Sequence, residues 1–306
     1  MLTEFEKRIA ENYDRALRLG ALFFIENTLL ILPTDSVNYE VRYAPSLFKK
    51  PKAALLPEED EPRIDPFAPW EPDLFVQEYG DYVVLLNKYC VVPHHLLIIT
   101  KEFRLQTEPL YPKDLAAIWY CMSHLSTPSL AFYNCGEMSG ASQLHKHVQV
   151  IPLGINSPPI ETCIDAIIEK HPGSIFDLSQ WPFVHCGMFL DQEKMVPPSN
   201  PDSSEPCYDL VGEYLAEVFH RLLDETISLL RELADGSISF KGLSYNFLMT
   251  KKWALMVPRR NENYHHISIN SLGFAGMILV KREEDLEMVR NVGVLNILKE
   301  VAYPKT

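Results

Sequence analysis

Residues 81–100, DYVVLLNKYCVVPHHLLIIT, constrain the fold more than any other stretch of the chain. Two β-rich runs, 81–87 and 89–99, stand around polar Asn87 and Lys88 and a Pro-His-His turn. Two antiparallel strands fit best, because a parallel pair needs a crossover of about a dozen residues or more. KDLAAIWYCMSHLS, residues 113–126, repeats Leu115, Ile118, Trp119, Met122 and Leu125 at helical spacing and predicts a helix with a buried face. Residues 129–136, SLAFYNCG, and 144–153, LHKHVQVIPL, predict a second strand pair joined by the small-residue loop EMSGASQ.

The first twenty residues put Phe5, Ile9, Tyr13, Ala16 and Leu17 on one helical face among charges, with Gly20 as the stop. They do not read as a signal peptide. Residues 192–206, QEKMVPPSNPDSSEP, rich in Pro, Ser and acid, are the clearest linker. They divide an N-terminal catalytic lobe, 1–191, from a C-terminal lobe, 207–306. The helix expected over roughly 208–233 has Val211, Leu215, Val218, Phe219, Leu222, Leu223, Ile227 and Leu230 in register. Beyond it, SYNFLMTKKWALMVPRR and INSLGFAGMILVKR bring back strands and a small-residue loop. The second half thus echoes the order of the first, with too little residue identity to establish a duplication.

With 306 residues, 47% hydrophobic and 23% charged, the chain can bury one large or two modest cores. It holds no apolar run long enough to span a bilayer, so no membrane partner is expected. Cys90, Cys121, Cys135, Cys163, Cys186 and Cys207 are scattered without a CxxC pair, which reads as reduced thiols in a cytoplasmic or nuclear setting. A net charge of −13 repels a phosphate polymer, so no nucleic-acid partner is expected. A small anion is another matter, because a few lysines in a cleft set the local field.

In LHKHVQV, residues 144–150, a strand would project His145, His147 and Gln149 from one face and turn Lys146, Val148 and Val150 to the other. Three readings compete. The two histidines can be satisfied core or surface residues. A His-x-His pair on a strand can ligate zinc, although a third ligand, from Cys135 or the His94, His95 pair, would need a tertiary coincidence. The third reading is nucleophilic catalysis at phosphorus by a neutral imidazole, with donors from Gly140, Ser142, Gln143 and Gln149 for the nonbridging oxygens.

The run N-C-G-x-x-S-G-A-S-Q at 134–143 followed by His-x-His-x-Gln resembles the histidine triad superfamily in its nucleotidyltransferase branch, where Gln replaces the third His. LLNKYCVVPHHLLIITKEF, the KKP of 49–51, DPF at 65–67 and INSLGFAGMILVK at 269–281 together resemble the fungal-type diadenosine tetraphosphate phosphorylases, also called ATP adenylyltransferases. The likeness covers nearly the whole chain. DPF departs from the NPF of the family, and either Asp or Asn can close such a turn by bonding its own backbone.

The resemblance implies an α/β (α+β) fold, galactose-1-phosphate uridylyltransferase-like and histidine triad-like, with antiparallel sheet, packed helices and a C-terminal ATP adenylyltransferase lobe. It implies phosphorolysis of diadenosine tetraphosphate to ATP and ADP through an adenylylated histidine, which by position is His147. His145 would orient His147 and contact substrate, and Gln149 would hold the transferred phosphoryl group. Gly140, Ala141, Ser142 and Gln143 would cradle phosphates, with Asn134 at the base of their loop. Lys50, Asn87, Lys88, Asn270, Ser271, Leu272, Met277 and Lys281 fall where the family contacts nucleotide and polyphosphate. The partners expected are small molecules: dinucleoside polyphosphate, ATP, ADP and phosphate. A divalent cation, Mg2+, would arrive with the substrate, and no tight structural metal is expected. A hexose-phosphate uridylyltransferase and a non-catalytic nucleotide sensor are the alternatives.

Overall fold

The computed structural model describes residues 2–34, 36–49, 65–154, 156–167, 170–199, 206–234 and 242–305. The first helix, α1, Glu4–Leu19, forms where expected. Thr3 and Glu6 close a capping box at its start, and Gly20 ends it in the left-handed conformation. Phe5, Ile9, Tyr13 and Ala16 are buried, as the apolar spacing requires.

A nine-stranded sheet carries the rest. Its strands in chain order are β1 Phe75–Tyr79, β2 Tyr82–Leu86, β3 Leu96–Thr100, β4 Ser129–Cys135, β5 His147–Pro152, β6 Ile175–Phe176, β7 Cys186–Phe189, β8 Ser244–Met249 and β9 Trp253–Arg259. Across the sheet they run β6-β7-β9-β8-β4-β5-β3-β2-β1, and neighbours are antiparallel throughout. The mixed α/β architecture with antiparallel sheet and packed helices is therefore the one expected. Residues 200–205 of the linker stretch lie outside the described residues. Strands on either side of 192–206 pair directly, with Asn246 opposite Asn134.

The run 89–99 departs from the sequence expectation. Pro93 and His94 interrupt it, with His94 at φ 60, and only Leu96–Thr100 joins the main sheet, while Tyr89–Cys90 pairs parallel with Phe23–Phe24. The echo between halves is also incomplete. Met277–Val280 pairs parallel with Asn38–Tyr43 in a separate three-stranded sheet instead of extending the large one.

The period-2 alternation of the strands sorts two cores. One face packs Val84, Ile98, Val148, Val150, Phe247 and Met256 under α1, α2 (Pro112–Ser123) and α3 (Asp209–Ala234). The opposite face is divided. Leu130, Phe132, Leu248 and Trp253 pack beneath the three-stranded sheet and the C-terminal helices, and Val83, Leu85, Leu97 and Ile99 pack against Phe67, Trp70 and Phe75. The ladder places His147 opposite Ile99, and Gln149 opposite Leu97 on one side and Phe132 on the other. The polar row thus stands on the seam between two apolar clusters of the same face.

Candidate active site

His147 is the first residue of β5 and only 4% exposed. Its Nδ1–H donates to the carbonyl of His145 at 2.8 Å, which leaves the lone pair on Nε2. Burial pushes the imidazole down to about 4, so at neutral pH it is uncharged and nucleophilic at Nε2. The backbone on either side is pinned by Gln106. Its Oε1 accepts the His147 N–H at 2.8 Å, and its Nε2 donates to the carbonyls of Asn134, at 2.8 Å, and His147, at 3.2 Å.

His145 lies just outside β5, bridged to Leu105, yet its ring shares the face of His147, because Phe67 packs on both rings. Its Nδ1 meets Asp65 Oδ2 at 2.7 Å and its Nε2 meets the Thr100 carbonyl at 2.9 Å. Both nitrogens are thus engaged, and it is the His145 carbonyl that orients His147.

Gln149 is oriented by a chain of hydrogen bonds that runs back into the sheet. Tyr89 N–H donates to Asn87 Oδ1 at 3.3 Å, and Asn87 Nδ2 donates to His95 Nδ1 at 3.1 Å. His95 Nε2–H then donates to Gln149 Oε1 at 3.0 Å. Burial pushes His95 down to about 4, consistent with the neutral tautomer that this chain requires. With its oxygen taken by His95, Gln149 keeps its NH2 for another acceptor. Asn87 enters the site through His95.

Lys146, Val148 and Val150 turn away as the alternation predicts. Lys146 Nζ sits 2.6 Å from Asp114 and 2.7 Å from the Pro109 carbonyl, under α2. Cys135 belongs to that helix-covered core as well, and His94 packs its ring on Tyr13. Neither joins the His-x-His pair, and among the described residues no group of three His, Cys, Asp or Glu side chains could hold a metal ion.

The loop between β4 and β5 is shaped by Gly136 and Gly140, at φ 87 and 79. A Cβ on Gly140 would lie 2.6 Å from the Ile269 carbonyl, so the loop rests directly on the turn at 269–271. Asn134 ties the two together. Its Oδ1 accepts from Ser271 N–H at 3.0 Å, Ser271 Oγ at 2.7 Å and Asn246 Nδ2 at 2.8 Å. Asn270 caps the following turn by accepting from Leu272 N–H. In the loop Ala141 and Gln143 are half-buried and Ser142 is exposed.

Arg259, buried beneath the loop, donates to the Ser139 carbonyl, Asn246 Oδ1 and the carbonyls of Val301, Asn261 and Glu262. Lys88 and Lys281 are half-buried, and among the described residues neither forms a salt bridge. Met277 opens on a cleft of about 410 Å³ with Glu40, Arg42, His94 and Leu153. Lys50 lies outside the described residues.

Sequence reasoning missed Gln106, the orienting role of His95, and Arg259. Gln106 sits in a polar stretch without periodicity, and nothing in it points to a partner 41 positions away.

Comparison with known proteins matches two family models, one after the other along the chain. Residues 2–170 match the family model described as the Ap4A phosphorylase N-terminal domain, and 179–304 match the ATP adenylyltransferase C-terminal domain. Diadenosine 5',5'''-P1,P4-tetraphosphate phosphorylase 2 of Saccharomyces cerevisiae is 32% identical over 304 residues, 92% of this chain and 89% of the relative. The crystal structure of yeast Ap4A phosphorylase Apa2 superposes with a TM-score of 0.79 at 27% identity, covering 100% of this chain and 97% of that one. The structure of Apa2 in complex with Ap4A superposes at 0.77, also at 27% identity, with both chains covered completely.

Proposed function

Because the chain belongs to the Ap4A phosphorylase family, we propose that it is a nucleotidyltransferase that splits diadenosine tetraphosphate with phosphate into ATP and ADP, reversibly, through an adenylyl group on His147. The observation that carries this reading is the state of His147: a neutral ring, its Nδ1 proton held by a carbonyl and its Nε2 lone pair without a hydrogen-bond donor among the described residues. Nε2 attacks the α-phosphorus, the P–N bond forms, and the bond to the bridging oxygen breaks to release ATP. The ring needs no base, since no proton leaves Nε2. Phosphate then attacks the same phosphorus, the P–N bond breaks, and ADP departs.

The Gln149 NH2 donates to a nonbridging oxygen as charge develops there, and the chain through His95 and Asn87 keeps the amide from flipping. Gly140, Ala141, Ser142 and Gln143 cradle the remaining phosphates, and Lys88 and Lys281 supply local positive charge in an acidic protein. Lys50, Leu272 and Met277 belong to the same proposal as nucleotide contacts. Mg2+ comes bound to the polyphosphate, and no step here runs through it.

Stereochemistry tests the mechanism apart from any mutation. A substrate made chiral at the α-phosphorus by sulfur gives net retention if two in-line attacks occur, each inverting. Direct attack by phosphate inverts once. Net inversion would remove the covalent intermediate. Binding of diadenosine tetraphosphate without turnover would instead identify a sensor, and turnover of a uridine nucleotide with a hexose phosphate would identify a uridylyltransferase.

A further inference from the structure

We propose that Asp65 is a positioning residue that keeps the His145 ring protonated on both nitrogens, and so sets a positive charge and a fixed carbonyl behind His147. His145 is 1% exposed, with Nδ1 2.7 Å from Asp65 Oδ2. On its other side, Nε2 lies 2.9 Å from the Thr100 carbonyl and 3.0 Å from the Thr100 hydroxyl. A carbonyl oxygen only accepts, and the hydroxyl proton is already given to the Glu102 carbonyl at 2.7 Å. An ionised carboxylate only accepts as well. A neutral imidazole, with one N–H, would leave one of these contacts as two facing lone pairs. The doubly protonated ring satisfies both.

The charge is matched where it stands. Asp65 makes the ion pair with His145, whereas the neighbouring Lys146 ammonium is turned through the sheet to Asp114. A buried cation without such a partner is strongly destabilising. The second oxygen of Asp65 closes the DPF turn by accepting the Phe67 N–H at 2.9 Å. That turn lays the Phe67 ring 5.7 Å from the His145 ring and 5.6 Å from the His147 ring. One carboxylate therefore holds the turn, the ring and the charge.

An amide at position 65 cannot do all three. Its single oxygen would go to the Phe67 N–H, its NH2 would face His145 Nδ1, and His145 would have to become the neutral tautomer with its proton on Nε2. Geometry is kept and charge is lost. The effect on catalysis rests on the reading of His147 as the nucleophile. The His145 carbonyl fixes the His147 tautomer, and a positive ring beside it favours the negative charge that builds on the phosphoryl oxygens during attack.

The test uses the whole protein with ¹⁵N-labelled histidine, free of substrate at pH 7, with the His145 signals identified by their loss in His145→Gln. Two protonated ring nitrogens are expected in the wild type, and one protonated and one bare in Asp65→Asn. In diadenosine tetraphosphate phosphorolysis, kcat should fall about tenfold in Asp65→Asn, roughly 1.4 kcal/mol of barrier, and at least as far in Asp65→Ala, with little change in KM. A carboxylate that merely closed the turn would leave Asp65→Asn at the wild-type rate and impair Asp65→Ala alone. That pattern, or a neutral His145 in the wild type, overturns the proposal. The ring signals are read without substrate. A wild type that fails to split the dinucleotide therefore removes the adenylyl-transfer reading while the proton assignment stands or falls on its own spectrum.

Discussion

An imidazole that attacks phosphorus must arrive with a bare lone pair, and two features secure this for His147: burial, which lowers its proton affinity, and the His145 carbonyl, which takes its other proton. Turnover should therefore persist as pH falls below 6.5, the ordinary histidine value, and fail only as His147 titrates near 4. His147→Ala should leave the fold intact and abolish turnover. Activity retained within about tenfold, a barrier change of roughly 1.4 kcal/mol, would exclude His147 as the nucleophile. Gln149→Ala should lower kcat roughly 10² to 10³-fold with a modest change in KM, because its NH2 meets charge that develops in the transition state. A change confined to KM would make it a ground-state contact. Period-2 spacing was enough to pick out His145, His147 and Gln149 as one face. It said nothing of the partners that hold them, since Asp65, His95 and Gln106 reach them from other segments, and a hydrogen bond between distant positions leaves no local pattern.

Elements built on apolar periodicity were the most legible, α1 and the strand pair β4 and β5 among them. Breaks in pattern were less so. The run 89–99 reads as one strand, but the backbone at Pro93 and His94 turns the chain, and pairing then depends on which edge lies nearby. The expected strand at 144–153 begins only at His147, because the residues before it are drawn aside to Leu105 and Arg104. What holds that entry in place is an ion pair with α2. Lys146 and Asp114 are both buried, and Tyr82 also donates to Asp114, at 2.8 Å. Asp114→Ala leaves the ammonium unpaired and should cost about 3–5 kcal/mol, read as a lowered urea midpoint. An unchanged midpoint would show that Lys146 finds water or another acceptor. The loop offers a second test. Gly140→Ala combines a positive φ with a methyl group pressed on the Ile269 carbonyl, so the phosphate loop must shift and turnover should fall more than stability does.

Three histidines at the scale of the whole molecule are buried without charge, and all three are lowered chiefly by burial: His95 and His147 on the seam, both to about 4, and His185 beside β7. His185 accepts the Leu178 N–H and donates to the Phe183 carbonyl, contacts that suit the neutral ring, and burial outweighs the pull of Asp177 3.2 Å from Nε2. In the unfolded chain each regains the ordinary value near 6.5 and takes up a proton as pH falls through it. The folded protein takes these protons only around 4. Between those limits the unfolded state binds more protons, so folding stability is fully present above 6.5 and declines as pH drops toward 4. The decline should approach about 1.4 kcal/mol per pH unit for each such histidine. Urea midpoints measured at pH 7, 6 and 5 give the slope, and His147→Gln, which removes one titrating ring, should reduce it by about one proton's share. A stability that stays level from pH 7 to pH 5 would mean that these rings take up protons in the folded protein near 6.5, as in the unfolded chain, and His147 would then lose its free Nε2 as pH falls through 6.5 instead of near 4.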